Sequence, residues 1–472
     1  MLRPWKLEIQ VDHHCDKAIY LQIADVIIAD IQSGRLKSGM VLPGSRTLAR
    51  ELSLNRNTIV EALQVLLNEE WLVAKERKGI FVATTLPVFR KNHNKILPVH
   101  IPPATDPVYR IRFDDGSPDS TIAPVAALAR AYRQLFNRNA RWQLMGYGNE
   151  LGNMAFREAI AEMLNHQRGM QVNTPNICIT RGSQMAMYLT AMVLFKKGDY
   201  VLVENPGYKP AWKAFENAGA KLLPVRVDED GMLVQDVVKY LKKYPAIKAL
   251  YTTPHHQYPT TVTLSLQRRL ELVALSNAYG FTIIEDDYDN EFHFGYRPVL
   301  PVSSNAELKN YVYIGTMSKV VAPALRTGYL VGRNTNFIEK AGALRKIIDV
   351  QGDAIMEQAI LQLIQEGAIK RHLKKATGYY KEKRDYAATL LTKYLGRKAG
   401  FSIPDGGLAF WLVPYRPVDW VQVEEKLKRK GITIILPGNY SYHKPVNGLR
   451  LGYANLSKDQ LEEGIQELAR VL

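Results

Sequence analysis

Apolar residues in the first part of the chain recur every three or four positions, which is the spacing of a helix that buries one face. This pattern covers residues 20–31 and stops at Gly34, so it predicts a first helix. Shorter patterns predict helices over 45–51, with Ser45 as the cap, and over 56–68. Two short helices around a tight turn are typical of a helix-turn-helix, although plain helical hairpins in protein cores show the same pattern.

Two short apolar runs follow, at 71–74 and 80–82, and a mostly basic turn separates them. These runs predict a β-hairpin. The third predicted helix begins with Arg56, Asn57 and Thr58, whose side chains supply hydrogen-bond donors suited to base edges and phosphates. The order of helices and hairpin therefore favours a winged DNA-binding domain.

Beyond residue 145 the pattern changes to short apolar runs that alternate with amphipathic helices. The runs are predicted strands, and they occur at 177–180, 200–203, 249–251, 281–284 and 312–314. Strands joined by helical crossovers form a mostly parallel sheet that helices cover on both faces. Sites in such sheets lie at the carboxyl ends of the strands, so the residues that follow each run are candidates.

A stretch without a sustained period, 86–109, separates the two patterned regions. It holds five prolines, which predicts a linker rather than a domain. The sequence therefore predicts a DNA-binding domain at 1–85, this linker, and a large domain at 110–472.

The residues that follow the predicted strands suit the chemistry of pyridoxal phosphate. Lys319 is the candidate amine for an imine with the cofactor's aldehyde, and Asp286 is the candidate carboxylate that keeps the ring nitrogen protonated. Tyr288 is the candidate donor to the phenolic oxygen, and Tyr208 is the candidate aromatic face. Phosphate-binding amides, hydroxyls and a guanidinium are available at Gly182, Ser183, Gln184, Thr316, Ser318 and Arg326. Each residue alone has an ordinary structural explanation, and only the full set in this order indicates the cofactor.

Composition narrows the possible functions. The chain has 472 residues and two cysteines, Cys15 and Cys178, which stand far apart, so neither a disulfide framework nor a metal site is expected. Long apolar runs and an apolar leader are both missing from the sequence, which favours a cytoplasmic protein without a membrane span. The net charge is +16, yet residues 1–85 hold 11 lysines and arginines against 10 aspartates and glutamates. Net charge therefore does not identify the DNA-binding surface.

The N-terminal pattern resembles the GntR family of winged-helix repressors across residues 18–82. The resemblance rests on the segments 42–49, 55–59 and 79–82. It implies DNA contacts at Arg46, Arg56, Thr58, Lys78 and Gly79, in addition to Asn57.

The remainder of the chain resembles fold-type I aminotransferases, and it is most similar to the MocR/GabR regulators, in which such a domain follows a GntR winged helix. The resemblance implies an α/β cofactor-binding part at about 145–330 and a smaller α+β part at about 335–472. It assigns Tyr147 to the cofactor phosphate of the neighbouring subunit. It assigns Arg450 to the carboxylate of an incoming amino acid, although a surface arginine at a strand edge is the alternative. A homodimer, head-to-tail, that binds double-stranded operator DNA and a small amine or amino acid is implied.

One departure from the enzymes of this fold bears on activity. These enzymes commonly have Asn-Pro-Thr-Gly where this chain has Tyr258, Pro259, Thr260 and Thr261. The missing asparagine contacts the cofactor's phenolic oxygen in those enzymes, so efficient transamination is not expected. The prediction is a regulator that senses an amine through aldimine exchange at Lys319 and alters operator binding. A working aminotransferase, and a sensor of pyridoxal phosphate that controls vitamin B6 genes, remain as alternatives.

Overall fold

The computed structural model describes residues 9, 11–12, 15–86, 109–137, 141–244, 246–295 and 299–472. The chain divides into two compact units, Met1–Thr105 and Asp106–Leu472, and each has its own hydrophobic core. The predicted linker at 86–109 lies outside the described residues except at its first and last positions.

Three helices and a two-stranded antiparallel hairpin form the first unit. The helices are α1 (Ile19–Gln32), α2 (Ser45–Glu51) and α3 (Arg56–Asn68), and the strands are β1 (Leu72–Lys75) and β2 (Gly79–Val82). The apolar faces predicted from the sequence meet in the core, where Ile27, Ile59 and Leu66 are fully buried. The winged helix-turn-helix is thus confirmed.

The ends of α2 and α3 differ in how they are capped. The Asn55 side chain accepts a hydrogen bond from the Asn57 backbone N–H at 2.9 Å, so Asn55 caps α3 and fixes the start of that helix. The prediction that Ser45 caps α2 is wrong. Gly44 holds the N-cap position with an extended backbone, and Ser45 is the first helical residue.

An eight-stranded sheet is the centre of the second unit. In spatial order its strands are β4 (Ile177–Thr180), β11 (Gly328–Gly332), β10 (Tyr311–Thr316), β9 (Thr282–Asp287), β8 (Ile247–Thr252), β5 (Tyr200–Asn205), β6 (Lys221–Asp228) and β7 (Gly231–Met232). The strands from β10 to β6 are parallel, whereas β11 and β7 run antiparallel to their neighbours. All five predicted strands lie in this sheet, and the mostly parallel arrangement is confirmed.

Helices cover both faces of the sheet. They are α4 (Val125–Asn137), α5 (Met154–Arg168), α6 (Gly182–Leu194), α7 (Lys209–Asn217), α8 (Val234–Lys243), α9 (Leu266–Tyr279), α10 (Thr335–Asp349) and α11 (Ala354–Gln365). Neighbouring strand residues point to opposite faces, so Ile283 belongs to one core cluster and Ile284 to the other. Burial on both faces explains why the strands are continuous apolar runs.

A smaller α+β part completes the second unit. It contains the antiparallel strands β12 (Ala399–Phe401), β13 (Ala409–Pro414) and β15 (Leu449–Gly452), the parallel pair β3 (Ile111–Arg112) and β14 (Ile432–Thr433), and the helices α12 (Ala368–Leu395), α13 (Trp420–Lys428) and α14 (Lys458–Val471). Its core is separate and includes Phe410 and Leu451. A smaller α+β part is therefore confirmed, but its predicted start at about 335 is wrong, because α10 and α11 pack in the cores of the large sheet. The pairing of β3 brings residues that precede the sheet into this part.

Candidate functional site

Lys319 lies on the loop that follows β10. The strand ends at Thr316, whose hydroxyl accepts a hydrogen bond from the Ser318 backbone N–H at 3.0 Å and holds the turn. Lys319 Nζ donates to the Gly116 carbonyl at 2.6 Å. The Ser318 hydroxyl is buried and has no hydrogen-bond partner among the described residues. The loop therefore presents an amine and an available hydroxyl at the carboxyl end of a central strand.

Asp286 lies on the neighbouring strand, β9, where it pairs in register with Ile314 of β10. Its Oδ2 accepts a hydrogen bond from the Tyr251 hydroxyl at 2.9 Å, whereas its Oδ1 is buried without a partner in the described part of the chain. Burial raises the pKa of Asp286 to about 7, and the bond from Tyr251 offsets this effect only in part. A cationic donor placed at Oδ1 would restore the ionised carboxylate.

Gly182 and Arg326 meet where α6 begins, directly after β4. Gly182 has a φ of +75°, and a side chain at this position would come within 2.9 Å of the Arg326 guanidinium, so the site requires glycine. Arg326 Nη2 donates to the Arg181 carbonyl at 3.3 Å. The first N–H groups of a helix lack partners within the helix, so these groups and the guanidinium form a site suited to an anion.

Arg450, on β15, is buried beneath the site with only 1% of its surface exposed. Its Nε donates to the Asp115 carbonyl at 2.9 Å, its Nη1 to the Pro259 carbonyl at 3.0 Å, and its Nη2 to the Tyr288 hydroxyl at 3.3 Å. The Tyr258 ring stacks on the guanidinium, with 4.9 Å between the guanidinium carbon and the ring centroid. The alternative of a surface arginine is therefore wrong, and each donor nitrogen is engaged within the chain.

Two tyrosines predicted to contact the cofactor lie on the same side of the sheet. The Tyr288 hydroxyl donates to the His256 carbonyl at 2.9 Å, and burial holds the pKa of this tyrosine well above its ordinary value. The Tyr208 ring meets the Tyr258 ring edge to face, with 5.1 Å between the centroids. Burial therefore keeps both hydroxyls protonated at neutral pH. The Tyr288 hydroxyl already donates to His256 and accepts from Arg450, so it would have to turn away from His256 to donate to a ligand.

A cavity of about 180 Å³ brings most of the predicted cofactor residues together. It is lined by Asp115, Ser117, Ser183, Tyr208, Thr253, Tyr258, Asp286, Tyr288, Thr316, Ser318, Lys319, Pro323 and Arg326. Gln184 lines an adjoining open groove of about 670 Å³ rather than this cavity. Gly182 lies behind Arg326, and Tyr147 is 90% exposed and lines neither space.

Several cavity residues were not found from the sequence. Asp115 and Ser117 come from a segment without a periodic pattern, and Thr253 directly follows a strand that was assigned by its apolar residues alone. Tyr251 was taken as part of that strand, although it donates to Asp286. A polar or aromatic residue at the carboxyl end of a central strand was the available signal for the last two.

Thr261 has a glycine-like backbone conformation. Its φ is +64°, in the left-handed region that a β-branched residue rarely adopts. Its backbone N–H donates to the Gln257 carbonyl at 2.7 Å and closes the turn. The loop that carries Tyr258 therefore keeps this conformation without the glycine of the related enzymes.

The predicted DNA contacts lie on the surface of the first unit. Arg46 is on α2, and Arg56 and Asn57 begin α3; all three are exposed, and Thr58 is half-buried. Lys78 and Gly79 are exposed at the turn of the hairpin.

Within the ranges that the structure describes, no group of three or more histidine, cysteine, aspartate and glutamate residues is arranged to hold a metal ion. A search of those same ranges finds no helix with the length and apolar character needed to cross a membrane.

Each of the two units matches a different family of known proteins. Residues 111–468 match the family model of aminotransferase class I and II, and residues 19–82 match that of the bacterial regulatory proteins of the gntR family. The probable rhizopine catabolism regulatory protein MocR of Rhizobium meliloti is 27% identical and aligns over 97% of this chain and 94% of its own length. Aromatic-amino-acid aminotransferase 1 of Thermococcus litoralis is also 27% identical, but it aligns over 77% of this chain and 88% of its own length.

A solved structure supports the fold of the second unit. The kynurenine aminotransferase of Pyrococcus horikoshii, determined in complex with PMP, superposes with a TM-score of 0.72 at 26% identity and covers 76% of this chain and 90% of its own. The match to the aminotransferase model spans well over half of the chain. The chain therefore belongs to the aminotransferase class I and II family, and it joins this fold-type I domain to a GntR-family DNA-binding domain, as the MocR group of transcriptional regulators does.

Proposed function

We propose that the protein is a transcriptional regulator whose aminotransferase-family domain holds pyridoxal phosphate and senses a primary amine or amino acid. A protein named as a regulator aligns with both domains, whereas the aminotransferase relative aligns with about three quarters of the chain. The observation that carries the proposal is the convergence of Lys319, Asp286 and Arg326 on one cavity. A DNA-binding domain has no chemical use for that set.

The ring end of the cofactor fits at Asp286. A protonated ring nitrogen supplies the donor that buried Oδ1 lacks among the described residues, and its positive charge stabilises the ionised carboxylate. Tyr251 holds the other oxygen, so the carboxylate is already oriented. Tyr288 would serve the phenolic oxygen, and Tyr208 one face of the ring.

The phosphate end fits between Arg326 and the start of α6. Ser183 and Thr316 line the cavity there, and the buried Ser318 hydroxyl is an additional donor that has no partner in the part of the chain described. A guanidinium, hydroxyls and the N-terminal amides of a helix are together a strong site for a dianion. Gly182 supports this site because its lack of a side chain leaves room for Arg326.

Lys319 and the effector compete for the same carbon atom of the cofactor. Bound in this cavity, pyridoxal phosphate supplies an aldehyde carbon that condenses reversibly with a primary amine, either Lys319 or that of an effector. When it is not bonded to the cofactor, Lys319 Nζ would donate to the Gly116 carbonyl, which accepts a hydrogen bond from it at 2.6 Å. The state with Lys319 bonded to the cofactor and the state with the effector bonded instead would differ in these contacts, and therefore in free energy. DNA affinity would respond to the effector when the two states present the DNA-binding domains differently.

The regulator is proposed to act as a homodimer, head-to-tail. Tyr147 is the predicted contact to the partner's cofactor phosphate, and its exposure leaves it free for that role. Two DNA-binding domains in one dimer would require two half-sites at a fixed helical spacing.

Transamination is the second candidate function. The cavity holds an amine, a buried carboxylate and an anion site, which is the set that an aminotransferase also needs. Sustained production of a keto acid from an amino-acid donor by the purified protein would favour this candidate.

The experiment that tests the proposal compares wild type with Lys319→Ala. We expect the wild-type protein loaded with pyridoxal phosphate to change its affinity for genomic DNA fragments that it selects when the amine effector is added. Lys319→Ala should still bind the same fragments, because the substitution lies outside the DNA-binding domain, but the response to amine should be altered or lost. An unchanged amine response in Lys319→Ala would refute sensing through this lysine.

A further inference from the structure

The first turns of α12 carry an exposed basic face. Residues 368–378 hold four lysines and arginines and no aspartate or glutamate. All four side chains are exposed, and together they form what we call the α12 basic face: Lys370, Arg371, Lys374 and Lys375. The face belongs to the part of the chain that carries the excess charge. Residues 1–85, with 11 basic and 10 acidic side chains, contribute +1 to the net charge of +16, which leaves +15 for the rest.

The packing of α12 does not require these cations. Ala368 and Ile369 pack in a core of the large sheet, and Ala376 packs in the core of the smaller part. Glu366, the acidic residue that precedes the helix, pairs with Arg130 instead. Within the described ranges, no side chain of the α12 basic face forms an ion pair. The fold therefore neither buries nor neutralises this face.

The α12 basic face also works against the helix that carries it. Lys370 and Arg371 lie in the first turn, where the positive end of the helix dipole disfavours cations. The first turn holds no acidic residue, and no side chain caps the helix. Lys374 lies four residues after Lys370, and Lys375 four after Arg371, so each pair places like charges next to each other. Sequences break local rules in this way at functional surfaces, and an anionic partner would relieve the repulsion.

The dimensions of the face suit an extended polyanion. From Lys370 to Lys375 the helix rises about 8 Å. Duplex DNA carries one charge per about 1.7 Å of its axis, so a segment of that length presents about four phosphates. The four cations of the face match this density of charge. A small anion would contact only one or two of them.

We propose that the α12 basic face binds the phosphate backbone of duplex DNA beside the sequence that the first unit contacts. The partner is DNA because the first unit belongs to a family of DNA-binding regulators, so the same chain brings a duplex to the molecule. Phosphate contacts carry no sequence information, so the face adds affinity and fixes orientation, whereas the first unit supplies specificity. This inference rests on the proposed function only in requiring that the first unit bind DNA, and it does not involve pyridoxal phosphate.

The test measures the affinity of full-length protein for genomic DNA fragments that wild type selects, over a range of salt concentrations. The variant combines Lys370→Gln, Arg371→Gln, Lys374→Gln and Lys375→Gln. We expect it to bind at least about tenfold more weakly, and we expect the slope of log affinity against log salt to fall in magnitude by about three. A second variant exchanges lysine and arginine at the same four positions and so keeps the charge. It should bind as wild type does, which separates lost charge from a disturbed helix.

The matched control combines Lys196→Gln, Lys242→Gln, Lys309→Gln and Lys430→Gln. It removes the same charge from exposed positions on other elements of the second unit. Its affinity should stay within about twofold of wild type with an unchanged salt slope, because scattered exposed charges away from the duplex are screened by salt.

Equal DNA affinity and salt slope for the α12 variant and the control would overturn the proposal. Wild-type DNA affinity in the α12 variant together with lost binding to phosphatidylglycerol vesicles would also overturn it, since the face would then serve a lipid surface. If Arg56→Ala weakens DNA binding and the α12 variant does not, the proposed function stands and only this inference fails. A wild-type protein that selects no DNA fragment would contradict both.

Discussion

Asp286 combines full burial with one unpartnered oxygen, and this makes its ionisation sensitive to what the cavity holds. Because burial raises its pKa to about 7, the folded protein without cofactor resists ionising it. The unfolded chain ionises the same group near its ordinary value of 3.8. The favourable contribution of the protonated form is therefore complete at low pH and is lost as the pH rises from about 4 to about 7.

This predicts a pH-dependent advantage for Asp286→Asn in the cofactor-free protein. The neutral asparagine has no ionisation cost, so the stability of the variant relative to wild type should increase between pH 5 and pH 8 by roughly 2–3 kcal/mol. Unfolding in urea at the two pH values measures the difference. Asp405→Asn, at an exposed carboxylate, is the control and should show no such trend. Parallel pH profiles for wild type and Asp286→Asn would contradict the account.

Loading with cofactor should remove the advantage of Asp286→Asn at high pH. A protonated ring nitrogen stabilises the ionised Asp286, so pyridoxal phosphate should stabilise wild type more than Asp286→Asn at pH 8. This change separates a binding role of this carboxylate from a purely structural one.

Among the elements of the first unit, the N-cap of α3 fixes the start of the helix that is proposed to contact DNA. The Asn55 side chain fixes the first turn, so that Arg56 and Asn57 project from the beginning of the helix, where they are exposed. An arginine at this position is suited to base edges or phosphates in a major groove.

Arg56→Ala should weaken binding to DNA fragments that wild type selects by about tenfold and reduce the dependence of affinity on salt. The visible spectrum of the cofactor-loaded protein should not change. Lys381→Ala removes an exposed charge from the other unit and serves as the control. Equal DNA affinity for Arg56→Ala and Lys381→Ala would show that α3 does not enter the groove as proposed.

Elements with a sustained period were predictable, and contacts between distant segments were not. The helices of the first unit and the five buried strands follow from apolar spacing. Lys319 and Asp286 were predicted from their places at the carboxyl ends of strands, although Asp286 lies within the last residues of β9 rather than after it. The two-residue strands β3 and β14 are too short to show a period, so their pairing was missed. Arg450 was assigned from resemblance, but its bonds to Asp115 and Pro259 join three segments whose proximity only the folded chain reveals.

For the molecule as a whole, exposed apolar side chains near Tyr147 point to an interface. A hydrogen bond from the Gly148 backbone N–H to the Gln351 side chain joins the segment that carries Tyr147 to the end of α10. There Ile347 is 83% exposed, and Val350 holds a φ of +62°, which is unusual for a β-branched residue. Exposed apolar residues that cluster in this way are typical of protein interfaces.

If the proposed homodimer uses this surface, Ile347→Asp should shift the protein towards monomer, because it would bury a charge in the interface. Light scattering at a fixed protein concentration measures the change. Ile403→Asp makes the same substitution at another exposed isoleucine, so it should leave the assembly intact. If Ile347→Asp remains fully dimeric, the dimer does not use this surface.

Pyridoxal phosphate is proposed to be held covalently by one lysine, Lys319. The most direct measurement is reduction of the cofactor-loaded protein with borohydride, followed by mass spectrometry of its peptides. We expect one stoichiometric phosphopyridoxyl group on Lys319 and its loss in Lys319→Ala. Label spread over the many surface lysines, or stoichiometric label at another lysine, would contradict it.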